Sequence, residues 1–179
     1  FFGVNPELDI YSYAIQFPNI IFNSFGTAIA TVVIPIFAGY IGTGDNNRAY
    51  RFADNIITLS VVFTLGLSLL GILLGALFPL MTEFRNTGYD FAVLALRIMF
   101  PVIVFYALNY VLQGILQSLG KFNMPAFVSV PSSIVLILYV FLLGGNFGVM
   151  GLLIATFVGL SLQSLILIPP VFKTDYKYR

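Results

Sequence analysis

The sequence contains no cysteine and no histidine, and only 8% of its 179 residues are charged. Without cysteine there is no disulfide framework and no thiolate metal site, and without histidine the usual proton shuttle and the commonest metal ligand are missing. A formal net charge of +1, with no basic stretch interleaved with aromatic residues, gives no general attraction to nucleic acid. We therefore expect no metal, no cofactor and no nucleic-acid partner.

Motifs of the common catalytic sites are also missing. The chain has no GxxxxGK[ST] loop for a nucleotide and no GxSxG or HExxH motif for hydrolysis. Its few carboxylates are scattered among segment ends and loops, so none forms an evident acid–base pair. Transport needs only a polar cavity, charges at selected depths and helices that rock, so we expect a transporter and not an enzyme.

Long apolar segments dominate what is present. Hydrophobic residues make up 59% of the chain and the mean hydropathy is +0.99, which predicts an all-α polytopic membrane protein. Because the sequence starts at Phe1, without an initiator Met or a signal peptide, we expect it to be part of a longer protein. Five transmembrane helices are predicted, near residues 9–40, 49–82, 89–119, 124–143 and 147–172.

The loop lysines and arginines predict the orientation in the membrane. Arg85 is the only one in a loop on its side of this topology. The positive-inside rule therefore places the opposite side in the cytoplasm. That side carries Arg48, Arg51, Lys121, Lys173, Lys177 and Arg179.

The first predicted helix carries a continuous polar stripe. Its polar residues recur every three or four positions, which keeps them on one side of a helix at about 100° per residue. Lipid offers such groups no hydrogen-bond partner, so the stripe faces either neighbouring helices or a water-filled cavity. We interpret it as part of the wall of an aqueous path. Its members are Asp9, Ser12, Gln16, Asn19, Asn23, Thr27 and Thr31.

Two further features bear on this path. Pro18 lies inside the stripe and predicts a kink near Phe17, which either turns Asn19 toward the cavity or serves packing alone. Arg97 lies a few turns in from the outer end of the third helix, and an arginine toward the bilayer centre costs about 2.5–3.5 kcal/mol. It either faces the cavity or extends its guanidinium to the outer interface.

A second, milder polar stripe follows in the third predicted helix. Four residues at helical spacing suit hydrogen bonds between helices, which we favour, or a second cavity lining. They are Tyr106, Tyr110, Gln113 and Gln117.

Several segments together resemble the lipid II flippases of the MviN/MurJ family, within the multidrug/oligosaccharidyl-lipid/polysaccharide exporter superfamily. The first is the series Phe2-Gly3, Asp9, Pro18-Asn19 and Ile34-Pro35-Ile36-Phe37. The second is Arg97-Ile98-Met99-Phe100-Pro101. The third runs from Gly114-Ile115-Leu116-Gln117 through Lys121-Phe122 to Pro125-Ala126. The order and spacing of these segments, more than any one of them, carry the resemblance.

The resemblance implies that this chain is part of the N-terminal lobe of a transporter of about fourteen helices, whose two lobes alternate access around a cationic cavity. It implies lipid II, the undecaprenyl-linked peptidoglycan precursor, as cargo. The partners are then this cargo, membrane lipids of the cytoplasmic membrane and the missing helices of the same protein. Membrane potential or ions, rather than ATP, are the energy source implied.

Three residues match positions of the family's motifs. They are the acidic Asp9, the asparagine Asn19 and the basic Arg97. Many members have two arginines shortly after Pro-Asn, where this chain has Phe22 and Asn23. The candidate path residues are Asp9, Gln16, Asn19, Asn23, Thr27, Arg97, Gln113 and Gln117.

Three other interpretations stay open. The first is a related polysaccharide-lipid or drug exporter of similar fold. The second is a non-transporting membrane scaffold, whose polar stripes only hold helices together. The third is a membrane-embedded glycosyltransferase, although Asp45 and Asp90, which would have to act together, fall on opposite sides of the predicted topology.

Overall fold

The computed structural model describes residues 5–82, 84 and 88–172, and within these residues every regular element is a helix. Five helical units are long and apolar enough to cross a membrane. The expected all-α polytopic class is therefore confirmed. Phe2, Gly3, Arg85, Lys173, Lys177 and Arg179, to which the sequence assigned roles in the resemblance or the orientation, lie outside the described residues.

The first span is a helix with one irregular turn. It consists of α1 (Pro6–Ala28), a π-helical turn (Ile29–Val33) and α2 (Ile34–Gly42). Pro18 lies inside α1, and the α-helix continues past the position where we predicted a kink. The departure from α geometry comes later, immediately before Pro35. Because the ring of a proline crowds the carbonyl four residues earlier, here that of Thr31, the wider π turn fits at this point.

The second span is α3 (Asn46–Leu74), followed by a short 3₁₀ turn (Pro79–Met81). Its first turn is capped by Asp45, whose carboxylate accepts the backbone N–H of Arg48 at 3.1 Å and pairs with the Arg48 guanidinium at 3.2 Å. The helix ends at Leu74 and not near residue 82. Gly75 follows directly and Pro79 comes five positions after Leu74, and both are poor residues for a helix interior.

Prolines also divide two of the predicted helices, the third and the fourth. The third span consists of α4 (Tyr89–Met99) and α5 (Val102–Ser118), separated at Phe100 and Pro101. The fourth consists of α6 (Asn123–Phe127) and α7 (Val130–Leu142), with Pro131 in the first turn of α7. The fifth is α8 (Gly144–Phe172), in which Gly148 has a φ of 54° and the regular helix follows it.

Helix α5 lies at the centre of the bundle and packs against α1, α3 and α8. Gly71 of α3 permits one close contact, since a Cβ at this position would lie 2.0 Å from the ring of Phe100. Away from the core, α3, α7 and α8 expose large apolar side chains, the surface that a bilayer requires of its spanning helices. Among them are Leu59, Phe63, Leu73, Leu138, Phe141 and Leu165.

Candidate functional site: the polar face of the first span

The polar stripe of α1 lies opposite the side by which this helix packs on the bundle. Ile10 and Ala14 mark the packed side, and both are almost completely buried. At about 100° per residue, the polar residues project from the other side. Asp9, Gln16, Asn23 and Thr27 are all exposed there, and Asn19 is half-buried at the edge.

The stripe is about as long as the hydrocarbon core of a membrane is thick. Asp9 and Thr31 are 22 positions apart, a distance of about 33 Å along an α-helix, and the hydrocarbon core of a bilayer is about 30 Å thick. The hydroxyl of Thr27 donates to the carbonyl of Asn23 at 2.9 Å, and that of Thr31 donates to the carbonyl of Thr27 at 2.8 Å. These hydroxyls are satisfied within their own helix.

The longer polar side chains of the stripe are available to other groups. The carboxylate of Asp9 and the amides of Gln16 and Asn23 make no hydrogen bond with any residue in the described part of the chain. Lipid would leave them unpaired at a cost of several kcal/mol each. This face of α1 is therefore covered by water or by other protein, whereas the exposed faces of α3 and α7 suit acyl chains.

At one edge of this face, α1 meets the polar stripe of α5. The hydroxyl of Tyr106 donates to Oδ1 of Asn19 at 3.2 Å. One turn further along α5, the ring of Tyr110 rests on Gly26, where an added Cβ would lie 2.5 Å from the ring. The two stripes are thus joined through Asn19, while the rest of the α1 stripe stays open.

The polar residues of α5 continue into the protein interior. Nε2 of Gln113 donates to Oδ1 of Asn109, which is 1% exposed. Nδ2 of Asn109 has no hydrogen-bond partner among the described residues. Asn109 was not among the predicted polar residues of this stripe, although it follows Tyr106 by three positions and precedes Gln113 by four. Gln117, the last member of this stripe, is half-buried.

Arg97 lies apart from both stripes. It is exposed on α4, on the same side as Asp90 and Leu94, and it forms no ion pair with any residue that the structure describes. Asp9, the acidic member of the α1 stripe, is not paired with it. The described residues also contain no group of acidic side chains able to hold a metal ion. The α1 stripe can therefore form hydrogen bonds with a hydrated or polar group, and Arg97 supplies a positive charge that lies apart from it.

These features define a class, a polytopic helical membrane protein with an exposed polar face on its first span. The match to known proteins makes it specific: residues 1–179 match the family model described as "Lipid II flippase MurJ". The chain belongs to this family, so the resemblance drawn from the motifs is confirmed. Its members are flippases, which are transporters.

Individual relatives agree with the family match. The lipid II flippase MurJ of Burkholderia cenocepacia is 29% identical over 97% of this chain and 35% of its own length. The probable lipid II flippase MurJ of Vibrio cholerae is 28% identical over 99% of this chain and 36% of its own length. The chain therefore spans about a third of the length of the curated relatives that it matches.

A solved structure has the same fold. It is titled "Lipid II flippase MurJ, inward closed conformation" and superposes with a TM-score of 0.78 at 25% sequence identity. The superposition covers 99% of this chain and 38% of that one. The five-helix bundle is thus one part of a larger helical transporter fold.

Proposed function

We propose that this chain forms part of the N-terminal lobe of a lipid II flippase in the cytoplasmic membrane. The flippase moves the undecaprenyl-linked peptidoglycan precursor from the cytoplasmic to the outer leaflet by alternating access. The family match along the whole chain supports this cargo. The remaining helices of the transporter and the surrounding lipids are its partners, and no covalent step is required of the chain.

The observation that carries the proposal is the open polar face of α1. A flippase must move a hydrophilic headgroup across the hydrocarbon core. Polar groups along the path lower the free-energy cost of this step because they replace part of the headgroup's hydration. The stripe is exposed, spans about 33 Å and lies opposite the packed side of the helix. A scaffold would instead cover the same residues with other helices of the protein, and the reactivity of cysteines placed on this face separates the two cases.

The candidate residues then divide into three roles. Asp9, Gln16, Asn23 and Thr27 line the path along α1, and Asn19 marks the edge where α5 begins. Gln113, whose amide donates to the buried Asn109, and Gln117 are assigned to a second polar lining on α5. Arg97 contributes a cation suited to a diphosphate, and because Phe22 and Asn23 stand where many relatives have arginines, further positive charge comes from the rest of the transporter.

Depletion of the protein in growing cells tests the cargo. We expect lipid II to accumulate in the inner leaflet and its delivery to the outer leaflet to fall as the protein is lost. The assay is run in cells without a second flippase, and re-expression of the wild-type protein restores delivery. Undiminished delivery in the depleted cells would exclude lipid II as the cargo and favour a related exporter of another lipid-linked or hydrophobic substrate.

A further inference from the structure

Asn19 differs from the other amides of the α1 stripe because the bundle holds it. The side-chain amides of Gln16 and Asn23 are exposed and form no hydrogen bond with a described residue, whereas Asn19 is half-buried and its Oδ1 accepts the Tyr106 hydroxyl at 3.2 Å. A primary amide is planar, with its oxygen and its NH₂ group on two separate branches. Once the oxygen is engaged by α5, the NH₂ group is left for another acceptor, and no described residue provides one.

The donor of this bond is itself firmly placed. Tyr106 is 8% exposed and belongs to the buried cluster that also contains Met99 and Ile103. The contact between Tyr110 and Gly26 fixes the separation of α1 and α5 at a second level. The hydroxyl that bonds Asn19 is thus carried by a side chain buried in the centre of the bundle and not by an exposed one.

We infer that Tyr106 is a positioning residue for cargo binding: it locks the Asn19 amide so that its NH₂ group donates to an anionic phosphate-type oxygen of the headgroup. The inference rests on the proposed function. A donor held in advance loses less conformational freedom on binding than a freely rotating amide, so the headgroup is bound more tightly. Tyr106 acts through Asn19 and does not itself touch the cargo.

Substitutions that remove each half of the bond test this role. The full-length protein is reconstituted in vesicles, and the initial rate of lipid II movement is measured over a range of lipid II concentrations. Tyr106→Phe deletes only the hydroxyl, and Asn19→Ala deletes the amide. We expect each to raise the half-saturating concentration by about 3- to 10-fold, the range of one hydrogen bond, with little change in maximal rate. The half-saturating concentration of the double variant should equal that of Asn19→Ala, since without the amide the Tyr106 hydroxyl has nothing to position.

Tyr11→Phe is the matched control. The Tyr11 hydroxyl bonds that of Thr156 at 2.9 Å, so it joins α1 to α8 without touching Asn19, and its loss should leave the half-saturating concentration unchanged. Asn19→Asp is a second probe, because it keeps an oxygen for Tyr106 but replaces the NH₂ group by an anionic oxygen. We expect it to raise the half-saturating concentration more than Asn19→Ala does.

Three results would overturn the inference while wild-type protein still moves lipid II. They are an unchanged half-saturating concentration in Asn19→Asp, additive effects in the double variant, or a fall in maximal rate alone for Tyr106→Phe. The last result would assign the Tyr106 hydroxyl to folding, which membrane protein content and the thermal unfolding midpoint measure separately. If the wild-type protein moves no lipid II, the proposed function itself fails.

Discussion

At the scale of single residues, Asp9 and Arg97 are the charges that most need an explanation. Both are exposed within membrane-spanning segments and neither forms an ion pair with a described residue. A charge in that position is costly unless water, a partner or a ligand receives it. The proposed path supplies both water and an anionic cargo, which would offset this cost.

We therefore predict that Asp9→Asn and Arg97→Gln reduce transport without removing the protein from the membrane. Neither side chain packs in the core of the bundle, so folding should change little. The measurement is complementation of a depleted strain, with membrane content determined by immunoblot. Asn146→Gln, an exposed polar change in the turn before Gly148, is the control. Normal growth of either charge variant would remove that residue from the candidate site.

Gly71 provides a prediction about stability. A Cβ at Gly71 would lie 2.0 Å from the Phe100 ring, and that ring is confined by Phe17 and Phe78, whose centroids lie 5.9 and 6.2 Å away. Gly71→Ala should therefore cost about 1–3 kcal/mol through overpacking. Gly66→Ala in the same helix meets nothing within 4 Å and should gain up to about 1 kcal/mol from helix propensity. Thermal unfolding in detergent compares the two, and equal midpoints would contradict this packing.

The residues also show where sequence reasoning stops. The three- and four-residue spacing of the α1 stripe is a local property, so it predicts which side chains share a face, and this face is the exposed one. The bond between Asn19 and Tyr106 depends on how α1 and α5 are rotated toward each other. No spacing within either helix specifies that rotation. Asn109 was missed although its spacing from Tyr106 and Gln113 is helical, because its neighbour Tyr110 fits the same spacing and was chosen instead.

At the scale of elements, the number of spans was predicted correctly, whereas the effects of the individual prolines on the helices were not predictable. The five spans follow from hydropathy and length, which depend on composition alone. The effect of each proline depends on its surroundings: Pro18 stays within α1, Pro35 follows a π turn, and Pro101 separates α4 from α5. A sequence rule gives all three the same expected kink, whereas neighbouring helices determine how each freed carbonyl is accommodated.

The open face of α1 can be mapped by cysteine substitution, since the chain has no native cysteine. We predict that Asn23→Cys and Thr27→Cys react with a hydrophilic thiol reagent in intact membranes, because water reaches this face. Val62→Cys and Leu69→Cys on the apolar face of α3 are also exposed in the bundle, but we expect them to stay unreactive because lipid covers this face. Protection of the two α1 positions, equal to that at α3, would favour the scaffold interpretation.

At the scale of the whole molecule, the orientation decides which end of the polar face receives the cargo. Arg48 and Lys121 lie at the same end of the bundle, beside the end of α2 and the end of α5. The positive-inside rule places this end in the cytoplasm. With the proposed function, this orientation predicts that the Thr31 end of the stripe faces the leaflet in which the cargo is loaded and that the Asp9 end faces the leaflet to which it is delivered.

Cysteines placed at opposite ends of the bundle test this orientation directly. Thr43 follows α2 and Asn146 follows α7, so the two exposed positions lie on opposite sides of the membrane. We predict that a membrane-impermeant thiol reagent added to intact cells labels Asn146→Cys and spares Thr43→Cys, and that both are labelled once the membrane is opened. The reverse pattern would invert the bundle, and the Asp9 end of the polar face would then be the cytoplasmic entrance. Under the proposed function the cargo is loaded from the cytoplasm, so Asp9 would in that case act at the start of transport and not at its end.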